Sequence, residues 1–259
     1  MIDVHCHLEQ KDYENDRDEI IEKCKKELKA VITCCAHPKD FDLTLQLADK
    51  YKNFVFASCG IHPEYIKEVS EKEIDDCIEK IKQNKDKIVA IGETGLDFWW
   101  VKEAEWQQKQ KDLFVRLIEL SKELKKPLVI HSRDAYEETV RILENEGAKE
   151  VDMHMFGNHH MTKRIIDNGW SISINTIILR SKSHKKIAKD CPLEKLMLET
   201  DAPWLAPKKL LEGVDEKNDS TSIKFVAEKI AEIKKLSFED VWKECGENAI
   251  RFFKLPIEV

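Results

Sequence analysis

Five short segments carry side chains able to hold cations: His5-Cys6-His7, Gly92-Glu93-Thr94-Gly95-Leu96-Asp97, His131-Ser132-Arg133, His154, and Glu199-Thr200-Asp201-Ala202-Pro203. Each closes a short apolar run. Residues two apart on an extended chain share a face, so His5 and His7 point the same way. If these ends converge, four imidazoles (His5, His7, His131, His154) and two carboxylates (Glu93, Asp201) meet in one small volume. Imidazole suits Zn, Fe, Ni and Mn, and carboxylate moves the preference toward harder ions. Glu93 is the candidate bridge, because its two oxygens can serve two metals about 3.5–4 Å apart. Asp201 is the candidate base for a water bound there. The expected cofactor is two divalent ions, Mg, Mn or Zn, with Glu93 and Asp201 as the catalytic carboxylates. A lone buried histidine is more often a hydrogen-bonded core residue than a ligand. Five chain ends with ligand-capable residues would each need that explanation separately.

Further side chains flank this set. Arg133, two residues beyond His131, offers a planar fork of donors that matches a phosphate. His62, in Gly60-Ile61-His62-Pro63, is too loosely placed for a ligand and is expected to hydrogen-bond substrate or a leaving group. His37 has a weaker case, and His159, His160 and His184 read as surface or capping residues. Trp99 and Trp100 either stack a base or cover a rim, with the rim favoured. Cys6 should face away from its two histidine neighbours and pack.

These residues need a scaffold that brings distant segments together. Strand chemistry recurs at 2–5, 30–35, 54–59, 88–92, 128–131, 151–154, 170–175 and 195–199, in short runs suited to burial on both faces of a parallel sheet. Helical periodicity lies between them, as at 105–125, where Phe114, Leu117, Ile118, Leu120 and Leu124 return on one face. A helix over 74–81 follows Ser70-Glu71-Lys72-Glu73, which has the form of a capping box. Two helices follow the last strand, at about 222–235 and 238–253, the second with Ser237 as its cap. Eightfold strand–helix alternation predicts an α/β fold of the (β/α)8 TIM-barrel type, whose enzymes place their chemistry at the carboxyl ends of the strands. A doubly wound sheet would put a glycine-rich turn after the first strand, where this chain has His-Cys-His. No linker or repeat interrupts the pattern, so residues 1–259 are expected to form one domain, with a charged loop at 207–220.

Composition narrows the class. The chain has 259 residues, 42% of them hydrophobic and 36% charged, with a formal charge of -7. That balance predicts a folded protein with a heavily charged shell. It argues against a broad basic surface that coats nucleic acid, and leaves open a local grip on a few phosphates. No apolar run reaches the roughly 20 residues a membrane span needs. The opening MIDVHCHLE has no secretory pattern, so a cytoplasmic location without membrane attachment is expected. The eight cysteines form no C-x-x-C pair, and buried free thiols are the expectation.

The stretches Asp3-Val4-His5-Cys6-His7, Gly60-Ile61-His62-Pro63, Ile91-Gly92-Glu93-Thr94-Gly95-Leu96-Asp97, Val129-Ile130-His131-Ser132-Arg133 and Leu198-Glu199-Thr200-Asp201-Ala202-Pro203 together resemble the TatD family of metal-dependent deoxyribonucleases. A closing stretch with Glu247-Asn248-Ala249 is similar to that family's last helix. The resemblance runs in order through nearly the whole chain. It implies a TIM barrel, divalent metals held by His5, His7, Glu93, His131, His154 and Asp201, and phosphodiester hydrolysis. Two places depart from the family pattern. His154-Met155-Phe156-Gly157-Asn158 replaces the common His-Cys-Phe-Ser-Gly, and Asn218-Asp219-Ser220, without proline, stands nearest to the usual Asn-Glu-Pro.

The expected activity is cleavage of DNA phosphodiester bonds by metal-activated water, working from single-stranded ends, since a barrel mouth admits an end more readily than a duplex interior. The expected partners are DNA or another phosphodiester or ester, with no obligatory protein partner. A metal-dependent amide or ester hydrolase, such as an aminoacyl-tRNA deacylase, is the alternative on the same site. A non-catalytic metal-binding barrel is the third reading.

Overall fold

The computed structural model describes residues 1–207 and 217–258. Eight parallel strands run in the order β1 (Ile2–Cys6), β2 (Ala30–Cys35), β3 (Val55–Cys59), β4 (Ile88–Asp97), β5 (Leu128–Arg133), β6 (Val151–Met153), β7 (Ser171–Ile174) and β8 (Leu196–Leu198), each paired with its sequence neighbour. The helices are α1 (Arg17–Lys25), α2 (Phe41–Lys50), α3 (Glu71–Gln83), α4 (Ala104–Leu124), α5 (Tyr136–Asn145), α6 (Thr162–Asp167), α7 (Lys182–Asp190), α8 (Ile223–Lys234) and α9 (Phe238–Phe253). The expected strand–helix alternation and TIM-barrel class hold. Among the described residues, no helix is long and apolar enough to cross a membrane. Residues 208–216 of the expected loop at 207–220 lie outside the described residues.

Local rules explain where the elements begin. Ser70 accepts from the Glu73 amide while Glu73 reaches back to the Ser70 amide, so the capping box opens α3 as expected. Ser237 accepts from the Asp240 amide and starts α9. Along β2, alternate residues serve two cores. Ala30, Ile32 and Cys34 fill the barrel interior with Ile2, Val4 and Val129, while Val31 and Cys35 pack under the helices. Phe253 and Leu255 at the end of α9 join the interior cluster and plug it. All eight cysteines are free and buried, as anticipated, and the Cys6 thiol donates to the Ile32 carbonyl.

Closure of the barrel sets up the site. Asp3 accepts from the Thr200 amide (3.0 Å) and hydroxyl (2.6 Å), tying β1 to the chain leaving β8. The Asp201 amide then donates to the His5 carbonyl (2.9 Å), and the His7 amide to the Ala202 carbonyl (2.7 Å). Strand β4 runs five residues past its expected end at Gly92. The register shifts between Ile91 and Thr94, so Gly92 and Glu93 occupy a bulge, and pairing resumes through Asp97 opposite Arg133. Gly92 and Gly95 have φ of +143° and +141°, which L side chains rarely adopt. A Cβ on either would collide with backbone oxygen of β5, at Val129 or His131.

Candidate active site

Six expected residues meet at the carboxyl ends of the strands, around Glu93. Its Oε2 lies 3.2 Å from His5 Nε2 and 3.7 Å from His7 Nε2. Its Oε1 lies 3.0 Å from His131 Nδ1, 3.4 Å from His62 Nε2 and 3.7 Å from His154 Nε2. Asp201 Oδ1 stands 3.4 Å from His7 Nε2 and 3.9 Å from His5 Nε2, on the Oε2 side. One carboxylate therefore shows a different set of imidazoles to each of its oxygens. Asp201 has φ +58°, a left-handed conformation that acidic side chains tolerate, and this bends the chain back over His7.

Carboxylates behind the imidazoles decide which nitrogen faces inward. His7 Nδ1 is 3.1 Å from Glu9, His131 Nε2 is 2.9 Å from Asp97, and His154 Nδ1 is 2.7 Å from Glu199. An ionised carboxylate only accepts, so each of these nitrogens carries its proton, and the other nitrogen is the one turned toward the centre. His5 leans on the Cys34 thiol instead, with Nδ1 3.4 Å from Sγ. His5 Nε2 and His7 Nε2 then face each other at 3.1 Å beside two carboxylates. With these ring nitrogens and two carboxylates turned toward one point, the donor set fits a divalent cation.

The electrostatics agree. Burial opposes charge on His131 and His154, but Asp97 and Glu93 lift the first to about 9, and Glu199 and Glu93 lift the second to about 10. Burial also opposes ionisation of Glu93, yet the surrounding histidines hold its carboxyl well below the usual carboxylate range. Cations are welcome here, and bound metals would displace the imidazole protons.

His62 plays a different part from the ring nitrogens around it. Its Nδ1 accepts from the Glu64 amide (3.2 Å), capping the turn that follows β3, and burial pushes its pKa down to about 3. The ring is neutral with its proton on Nε2, 3.4 Å from Glu93 Oε1, and so offers a donor where a ligand needs a lone pair. His37 lies apart, capping another turn and packing on Tyr65. His184, expected at the surface or in a cap, is buried: its ring bonds Ser181 while its amide takes part in the α7 cap. The site opens into a cavity of about 350 Å³ that His62, Arg133, Met155, Trp100 and Trp204 help to line.

Residues 2–254 match the family described as TatD related DNase. The human deoxyribonuclease TATDN3 is 34% identical over 263 residues, covering 98% of this chain and 94% of the relative. An uncharacterized metal-dependent hydrolase of Methanocaldococcus jannaschii is 34% identical over 254 residues, covering 98% and 96%. The chain belongs to the TatD family. A TatD homologue of Escherichia coli, YJJV, shares the fold with TM-score 0.88 at 22% identity, over 99% of this chain and 98% of that one.

Both departures from the TatD pattern border the site. Met155 takes the place after His154, donates its amide to Glu199 (3.1 Å) and faces the cavity. Asn218, buried, donates to the Trp204 carbonyl (2.8 Å) and so holds the turn that follows Asp201, with Ser220 in place of the family's proline. Sequence reading gave no role to Glu9, Asp97, Glu199 or Cys34. Two of these were visible as same-face neighbours, Glu9 two residues after His7 and Glu199 two before Asp201. Cys34 carried no signal, because its contact with His5 spans two strands.

Asp97 organises most of this TatD-family site on one side. One oxygen holds His131, and the other accepts from the Trp99 (2.9 Å) and Trp100 (2.7 Å) amides. Replacing it by Asn frees the His131 ring to turn and to choose its tautomer. We expect Asp97→Asn to weaken Mn binding by about 10–100-fold, as measured by titration calorimetry. Affinity within twofold of wild type would remove Asp97 from this role.

Proposed function

We propose that this TatD-type hydrolase cleaves phosphodiester bonds of DNA with two divalent cations, removing nucleotides from single-stranded ends. The observation that carries this reading is Glu93, with one oxygen toward His5 and His7 and the other toward His131 and His154. His5, His7, Asp201 and Oε2 of Glu93 would hold one cation, and His131, His154 and Oε1 of Glu93 the other. Mg, Mn or Zn bound there supplies Lewis-acid charge that neutralises a phosphate and acidifies water.

The chain's own groups do the rest. Asp201, its carboxyl held low against burial by the His7 hydrogen bond, takes the proton of the attacking water. Arg133 lines the cavity and directs its donors at non-bridging oxygens. His62 offers Nε2–H to the leaving oxygen or to a neighbouring phosphate oxygen. Glu9, Asp97 and Glu199 keep the imidazoles in register.

The test is end-labelled DNA, single-stranded and blunt duplex, incubated with purified protein and Mg, Mn or Zn. We expect stepwise shortening of the single strand, slower attack on the duplex, and loss of both in His131→Ala. Cleavage that survives His131→Ala, or turnover of carboxylic esters without any of DNA, would overturn the reading.

A further inference from the structure

Large exposed apolar side chains concentrate at one place on this molecule. Among the described residues they are Trp99, Trp100, Trp204 and Leu236, and the three tryptophans are 48%, 57% and 42% exposed. Trp100 and Trp204 line the active-site cavity, and Trp99 adjoins it through Arg133. Exposing an indole forgoes much of the stabilisation its burial would give, so three at one mouth call for a ligand.

Their backbones are built into the catalytic centre. Trp99 and Trp100 donate their amides to Asp97, the carboxylate that holds His131. The Trp204 amide donates to the Asp201 carbonyl (3.0 Å), and its ring stands 4.8 Å from that of His7. Indoles thus flank the Glu93 centre on its His7 side and on its His131 side. The Arg133 guanidinium lies 4.9 Å from the Trp99 ring centre and 5.7 Å from that of Trp100. Aromatic faces orient this cation without consuming its donors, which leaves them for an anion.

A flat apolar face beside a phosphate-reading arginine matches a nucleotide whose base is unpaired. We propose that Trp204 and Trp100 are stacking platforms for unpaired nucleobases next to the scissile phosphate, and that they set the preference for single strands. Bases inside a duplex stack on each other and present only their edges, so they have no free face for an indole. This inference rests on the phosphodiesterase reading and names the part of the substrate that reading leaves open.

The test compares two single-stranded oligothymidylates of equal length, one with normal ends and one with abasic tetrahydrofuran residues at its three terminal positions. Binding is read by quenching of tryptophan emission in Asp201→Asn protein, and turnover by KM and kcat in the Mn-loaded enzyme. We expect normal ends to bind about tenfold more tightly and to lower KM by about tenfold, with less effect on kcat. The KM ratio between the two strands should collapse toward one in Trp204→Ala and return in Trp204→Phe. Equal binding of the two strands by protein carrying both indoles overturns the proposal. So does a Trp204→Ala penalty of the same size on both strands, because a purely structural tryptophan would act that way. Discrimination in binding without any strand shortening would sustain the platforms and sink phosphodiester cleavage.

Discussion

Replacing Glu93 by Gln should lower kcat/KM on single-stranded DNA by about 10³ or more. The substitution keeps the shape and leaves no cavity. It turns one oxygen into a donor and removes the negative charge that faces both imidazole sets. His5 and His7 on one side, and His131 and His154 on the other, lie within 3.7 Å of this carboxylate. Lewis-acid charge stabilisation contributes several kcal/mol, and about 4 kcal/mol corresponds to about 10³ in rate. The same change should remove the rise in Tm that Mn gives the metal-stripped wild type, since a ligand stabilises only the state that binds it. Rates within tenfold of wild type at saturating Mn would overturn the proposed bridging role of Glu93. Circular dichroism separates loss of metal from loss of fold.

Gly95→Ala should be strongly damaging for the addition of a single methyl. Gly95 sits in β4 at φ +141°, and a Cβ there would overlap the His131 carbonyl oxygen on β5. Backbone strain of about 1–3 kcal/mol adds to overpacking of about 1–3 kcal/mol, and backbone cannot move aside as a side-chain tip can. A loss near 4 kcal/mol lowers Tm by about 10 °C in a chain of this size. Activity should fall with it, because β4 would draw away from β5 and take Glu93 from His131. Gly147→Ala is the control. Gly147 also has a positive φ (+65°), but nothing lies within 4 Å of a Cβ there, so it should cost only about 1–2 kcal/mol. Similar Tm values for the two variants would refute the close-approach argument.

Much of this was legible along the chain because the physics is local. Strand chemistry repeats with helical periodicity between, and that alternation named the barrel. Ser70 and Ser237 marked helix starts through bonds that reach only three residues. The strand-end histidines and carboxylates proposed as ligands were found by type and by side-chain alternation, and the barrel rule said which ends meet. The limit of β4 was not legible. Glycine after an apolar run reads as a stop, whereas here Gly92 and Gly95 carry the strand through a bulge that only its pairing with β5 reveals.

The sequence by itself determined the fold class and the six proposed ligands that meet at the mouth, because both follow from residue type and spacing of two or about 3.6. Tertiary structure decided which nitrogen of His131 and His154 faces inward, since that depends on Asp97 and Glu199 lying behind them. It also separated His62 from the other rings through one bond from the Glu64 amide. Closure of β8 onto β1 brought Asp201 to His7 across most of the chain's length, and set Trp204 at the same cavity as Arg133. The His131–Asp97 and His154–Glu199 bonds and the cross-barrel distances belong to residues far apart in sequence, and a periodicity along one strand does not contain them.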